Sequence, residues 1–288
     1  MLPAEHKAFG NGFGVLLLPA LSSISTREEM QPLARHLDNE FITETRDWPG
    51  FGTKPRPHIE WTPEILSDFL RDSIRRQSPA AVIAAGHAAA YAVYELAQRP
   101  GGVACLVLVA PTWRGPLPTM MGGSKAWFRR IVGAFDNKVM GPLLYRLNVS
   151  PWMVRKMALE HVYSNATWLT EARFQSKIAV TKAKGARHSS VRFVTGSLDR
   201  YADRDPFLND LRRVGCPVLI VYGAETPRRS RIEMELMSML EGVTTVVMEK
   251  GKLALHEEFP SNVAAEVMRF FNANLPARLS SGIKLRAI

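Results

Sequence analysis

Short apolar runs at Val15–Leu18, Phe41–Thr45, Ala81–Ala85, Cys105–Ala110, Val218–Tyr222 and Thr244–Met248 alternate with segments of helical pattern. Strands buried on both faces read as near-continuous apolar runs, and parallel neighbours need crossover helices between them. The rhythm therefore predicts an α/β fold: a mostly parallel sheet of about six strands, flanked by helices. Helix starts support it. Ser25 followed by Glu28 forms a capping-box pattern, and Thr62 before Pro63 gives an N-cap with proline at the first helical position.

The rhythm stops between about Arg114 and Arg213, where aromatic-rich, basic, helix-like segments such as "SKAWFRRIVGAF" and "PLLYRLNVSPWMVRKMALEHVY" take over. This predicts a core built from residues 1–113 and 214–288 and a helical cap inserted as residues 114–213. The position is informative, because an insertion between the fourth and fifth strands lies at the sheet's C-terminal edge, where open α/β folds bind ligands. Charge concentrates in the same place. From Arg114 to Ser190 there are thirteen Lys or Arg against three acids, so this segment alone carries the chain's net charge of +10.

Composition removes several classes of function. Cys105 and Cys216 lie in or beside strand-like runs without metal-ligand spacing, the histidines show no ligand pair, and nothing calls for a cofactor or a metal. The apolar run near the N-terminus is too short for a signal segment or a membrane span, which predicts a cytoplasmic protein, or one peripheral to a membrane. No helix-turn-helix, RNA-binding or zinc motif accompanies the basic cap, so nucleic acid is not the expected partner. Cap aromatics interleaved with cations suit instead a small hydrophobic or anionic amphipathic molecule, and an anionic membrane surface remains open.

Four stretches in order, "DWPGFGTKPRP", "AAGHAAA", "VLIVYGAETP" and "GKLALHEEFPSNVAAEVMRFF", resemble the α/β-hydrolase superfamily. The resemblance implies an α/β-hydrolase fold with a nucleophile elbow, an acid loop and a histidine loop, and lacking the usual N-terminal hairpin because no strand is read before Val15. It places the nucleophile on Ala88, within Gly-His-Ala-Ala-Ala, the acid on Thr226 with Glu225 beside it, and the histidine on His256. The amides of Leu21 and Ala89 would form the oxyanion hole, and Leu21, Ser22, His87, Ala89, Asp47 and Trp113 are the candidate ligand-binding residues.

A serine mechanism needs a nucleophile, a base and an acid that orients the base. With alanine and threonine at two of these positions, ordinary serine hydrolysis is not expected. Three readings stay open: a pseudo-hydrolase that binds a ligand, an active hydrolase or lyase using His256 with Glu225 or Asp47, and a serine hydrolase carrying a deliberate serine-to-alanine change at Ala88.

Overall fold

The computed structural model describes residues 6–9 and 12–279. Its strands are β1 (His6–Phe9), β2 (Phe13–Leu18), β3 (Phe41–Arg46), β4 (Ala81–Ala85), β5 (Cys105–Val109), β6 (Val218–Gly223) and β7 (Val243–Met248). They form one sheet in the order β1-β3-β2-β4-β5-β6-β7. The six strands β2 to β7 are parallel, while β1 pairs antiparallel with β3, His6 facing Arg46. The expectation of no strand before Val15 is thus corrected. β1 is a four-residue edge segment, too short to show a period.

Every residue of β4, β5 and β6 is buried, which is why these strands carry no alternation of apolar and polar residues. The edge strand β7 is only partly covered.

The helices in chain order are α1 (Gln31–Leu37), α2 (Pro63–Gln77), α3 (Ala88–Ala97), α4 (Pro116–Met121), α5 (Phe128–Asp136), α6 (Met140–Asn148), α7 (Pro151–Met157), α8 (Glu171–Thr181), α9 (Ala186–Val194), α10 (Arg204–Arg213), α11 (Arg228–Ser238), α12 (Leu255–Glu258) and α13 (Pro260–Leu279). Thr62 is the N-cap of α2, with Pro63 following, as its sequence implies. The first βα connection differs from its expected cap. A 3-10 turn, Arg27–Met30, precedes α1, and its N-cap is Thr26, whose hydroxyl accepts from the Glu28 amide, rather than Ser25.

Helices α4 to α9 lie between β5 and β6 in sequence and carry a second small core of Val154, Ala158, Tyr163, Leu169, Phe174 and Ile178. The helix α10 sits differently. It packs on α3, and its Phe207 and Leu211 belong to the main core, although the sequence groups it with the insertion. Helix α3 is buried along almost its whole length, its alanines letting it approach the sheet closely.

Candidate functional site

At the C-terminal end of β4 the chain turns sharply into α3. Gly86 has φ of +53°, His87 has φ −70° and ψ −16°, and α3 begins at Ala88. A nucleophile elbow places the reacting residue on the strained residue between strand and helix. Here that residue is Gly86. Ala88, the expected nucleophile position, is the first helical residue and fully buried. Glycine alone among residues adopts positive φ without a Cβ penalty. A Cβ at Gly86 would lie 3.2 Å from the Cβ of Ala20, a tight approach.

The Ala89 amide donates to the Gly86 carbonyl at 3.2 Å and is committed to the start of the helix. The residue following the elbow is His87, and across from it runs the loop after β2, Pro19-Ala20-Leu21. In that loop the Ala20 amide donates to Glu29 Oε1 at 2.6 Å. A protein carboxylate therefore sits on an amide of the kind that would hold a substrate oxyanion.

Glu29 comes from the 3-10 turn and is the centre of a buried ionic group. His256 Nε2 lies 3.4 Å from Glu29 Oε1, and Lys177 Nζ lies 3.9 Å from Glu29 Oε2. Lys177 also donates to both carboxylate oxygens of Glu257 at 2.9 Å, and the Tyr163 hydroxyl donates to Glu257 at 2.8 Å. Glu29, Lys177 and His256 are each at least nine-tenths buried. Burial alone would raise the Glu29 carboxyl, but His256, Lys177 and the Ala20 amide outweigh it and hold the group below its ordinary range. Burial would likewise depress Lys177, and Glu257 and Glu29 reverse this, so the ammonium is held above its ordinary range. Lys177 and Tyr163 belong to the cap, whereas Glu29 and Glu257 belong to the core, so the cap is pinned to the core beside the elbow.

The partners expected for His256 are elsewhere. Glu225 is exposed and accepts from the Gly251 amide at 2.9 Å. Asp47 accepts from the Arg27 amide at 2.7 Å, and a Cβ at Gly52 would meet its carboxylate at 2.7 Å, so Asp47 braces its own glycine turn. The carboxylate at His256 is Glu29. Thr226 stands buried in the loop after β6 with its hydroxyl lacking a protein hydrogen-bond partner, as do both ring nitrogens of His256 and of His87.

The other expected ligand residues divide. Leu21 is buried beside the elbow loop, and Ser22 Oγ accepts from the Ile24 amide, a loop brace. Trp113 is buried, donates to Glu233 at 3.0 Å and stacks on Phe207, which makes it part of the core. His87 is buried 3.4 Å from Asp199. Burial depresses the His87 imidazole to about 4 and pushes the Asp199 carboxyl up to about 8, despite the Gly115 amide and Arg114 pulling the latter down.

Among the described residues, two three-residue groups have donor atoms close enough to ligate a metal: His58, Asp136 and His188, and Glu29, His256 and Glu257. Neither donor set is free for it. Arg192 donates to both Asp136 oxygens at 3.1 and 2.6 Å, and His188 Nδ1 lies 2.6 Å from the same carboxylate. In the second group the Lys177 ammonium already supplies the cation. An open cleft of about 200 Å³ lies at the cap edge, lined by Ser124, Lys125, Phe128, Arg129, Thr195 and Ser197 among others.

The profile of the Alpha/beta hydrolase family matches residues 15–266. The chain belongs to this family. Structures similar to it over most of their length include a serine hydrolase involved in carbazole degradation, with 14% identity, TM-score 0.71, and coverage of 94% of this chain and 95% of that one. A thermophilic esterase from Thermogutta terrifontis shows 17% identity and TM-score 0.70, with 94% and 93% covered. An enol-lactonase from Burkholderia xenovorans LB400 shows 15% identity and TM-score 0.68, with 93% and 96% covered. At these identities the likeness speaks to fold. No functionally curated protein matches the sequence.

Sequence reasoning missed Gly86, Glu29, Lys177, Glu257 and Asp199. Only Gly86 left a local signal: a lone glycine closing a buried strand before an alanine-rich helix is where positive φ is affordable. The others are assembled by tertiary folding.

Proposed function

We propose that this chain is a non-hydrolytic member of the alpha/beta hydrolase family that works by binding a small anionic amphipathic molecule. The carrying observation is the Ala20 amide held by the Glu29 carboxylate, beside an elbow whose reacting position is a glycine. A nucleophile-free elbow forfeits covalent catalysis, and loss of the nucleophile costs about 10⁶ in rate in a serine hydrolase. An anion in the oxyanion position would meet Glu29 before any backbone donor. Reverting Ala88 to serine would put a hydroxyl on the first turn of α3, so a deliberate change at that position does not account for the site.

Two observations support binding. The cleft at the cap edge offers Lys125, Arg129 and the hydroxyls of Ser124 and Ser197, with Ala126 and the edge of the buried Phe128 beside them, a set matched to an anionic head group. The buried Thr226 hydroxyl, which has no hydrogen-bond partner, and the Nδ1 atoms of His87 and His256, whose Nε2 atoms face Asp199 and Glu29, offer further hydrogen bonds.

The test is mass spectrometry of small molecules extracted from gently purified protein, compared with the double variant Lys125→Glu, Arg129→Glu. A discrete acidic amphiphile present in the parent and lost in the variant is expected. Identical extracts from both proteins would refute the cleft as the head-group site.

One observation favours a second reading. A buried histidine 3.4 Å from a carboxylate is a geometry that can move a proton, so if the chain catalyses a reaction, His256 is its acid or base and Glu29 orients it. His256→Ala then abolishes turnover, whereas a pure binder retains its ligand.

A further inference from the structure

Helix α6 is inside out. Its buried face is Gly141 and Tyr145, while Met140, Leu143 and Leu147, three and four residues apart, point outward at 57, 61 and 63% exposure. Residues at this spacing share one helix face. Val139 just before α6 is 84% exposed, and Trp152 on α7 is 67% exposed. An amphipathic helix ordinarily turns its apolar stripe to the core. Here the stripe has no covering element among the described residues.

The charges around it have one sign. Lys138 enters α6 and Arg146 lies beside Leu143 and Leu147, while Arg129 and Arg130 project from α5, which packs on α6. All four are exposed. The acids of this region are already engaged: Asp136 by Arg192, Glu160 by Lys156, and Glu171 by Arg155. No helix among the described residues is long and apolar enough to cross a membrane, so any contact with lipid would be lateral.

We propose that this face of the cap docks on an anionic lipid surface, with Met140, Leu143, Leu147 and Trp152 entering the headgroup boundary and Lys138, Arg146, Arg129 and Arg130 meeting lipid charge. Apolar side chains ringed by cations bind such interfaces through both terms, and tryptophan suits the wet end of the boundary. Charge complementarity selects this occupant over a second copy. A symmetric pair built on the same face would set these unneutralised cations against their own images. The inference stands apart from the ligand reading, because it rests on the outer face of α6 and needs neither the elbow nor the cap-edge cleft; Arg129 alone belongs to both, and the variants below leave it in place.

The test is co-sedimentation of the full chain with phosphatidylcholine vesicles with and without phosphatidylserine, at low and high salt. Binding is expected only with phosphatidylserine, and it should weaken as salt rises. Replacing Lys138 and Arg146 by alanine lowers the partition about thirtyfold. Leu143→Ser with Leu147→Ser lowers it at least tenfold, with an unchanged melting curve, because both leucines are already solvent-facing. Equal sedimentation with both vesicle types, or none with either, overturns the proposal. So does concentration-dependent dimerisation that the leucine variant abolishes, which would assign the face to a second copy, or binding confined to an acidic protein.

Discussion

Glu29 accepts a hydrogen bond from the Ala20 amide at 2.6 Å and stands 3.4 Å from His256, so one carboxylate holds the loop after β2 and faces the buried histidine at once. Lys177 lies between the two carboxylates, 3.9 Å from Glu29 and 2.9 Å from Glu257, and the Ala20 amide and the Tyr163 hydroxyl each add a hydrogen bond to one of them. Buried charges are tolerated when they are paired and hydrogen-bonded in this way.

Serine placed at the elbow should remain silent. Gly86→Ser is expected to hydrolyse p-nitrophenyl butyrate no faster than the parent protein, because the loop amide is taken and the new Cβ crowds Ala20. Combining it with Glu29→Ala releases the donor, and one oxyanion donor is worth about 10² to 10³ in kcat. The double variant should therefore exceed the single one. Ala88→Ser is expected to be inert, and rapid hydrolysis by that variant would return the elbow to Ala88.

The Glu29 carboxylate predicts an acid-side loss of stability. Its folded pKa lies below the ordinary 4.5, so it contributes stability above that value and the contribution disappears as pH falls through the folded pKa. Glu29→Gln keeps an acceptor for Ala20 but has no charge to lose. Urea unfolding at pH 7 should find the variant less stable than the parent, and the gap should narrow on acidification below about pH 4. A gap that is constant with pH would mean that Glu29 contributes no electrostatic stabilisation.

Asp199 predicts the opposite trend. Its folded pKa is raised from 3.8 to about 8, so the folded state retains a proton that the unfolded chain has released, and stability falls as pH rises between those values. Asp199→Asn removes this dependence while leaving a carbonyl to accept from the Gly115 amide, now received at 2.8 Å. At about 1.4 kcal/mol per pKa unit, the stability lost between acid pH and about pH 8 is on the order of a few kcal/mol. His87, depressed to about 4, penalises folding in the other direction, as pH falls below its ordinary 6.5. Melting curves from pH 5 to about 9 separate the two, and an alkaline decline that survives Asp199→Asn would rule out Asp199 as its source.

The sheet was legible because β4, β5 and β6 are buried on both faces and admit only apolar side chains, and their runs stand out against the cap. The elbow was legible in place but not in register. In Gly86-His87-Ala88-Ala89-Ala90 no side chain marks the reacting position, and only the backbone φ does so. The Glu29 cluster was invisible for a different reason. Lys177 and Glu257 are 80 positions apart and meet only where the cap packs on α12, while Glu29 lies in an acidic helix start that nothing in its neighbours sets apart. Distant ion pairs leave no periodicity to find.

Arg56 gives the last prediction. It follows the glycine turn braced by Asp47, is buried without a carboxylate partner, and donates to the carbonyls of Gly52 at 2.8 Å and Ala186 at 3.3 Å and to the Ser189 hydroxyl at 3.2 Å. Burial lowers its pKa to about 10, still well above neutrality, so the guanidinium is charged; carbonyls and hydroxyls hold it directly, and the Asp47 carboxylate acts on it through space. It spans from the turn to α9, fixing the cap over the sheet. Lysine offers a single ammonium and cannot reproduce the fork of planar donors. Arg56→Lys is therefore expected to destabilise by about 1 to 3 kcal/mol through acceptors left unpaired, with the loss concentrated in the cap. Hydrogen exchange should show faster opening of α8 and α9 and little change in β4 and β5. Uniform loss of protection across sheet and cap would mean that cap and core unfold as one unit and that Arg56 is no hinge pin.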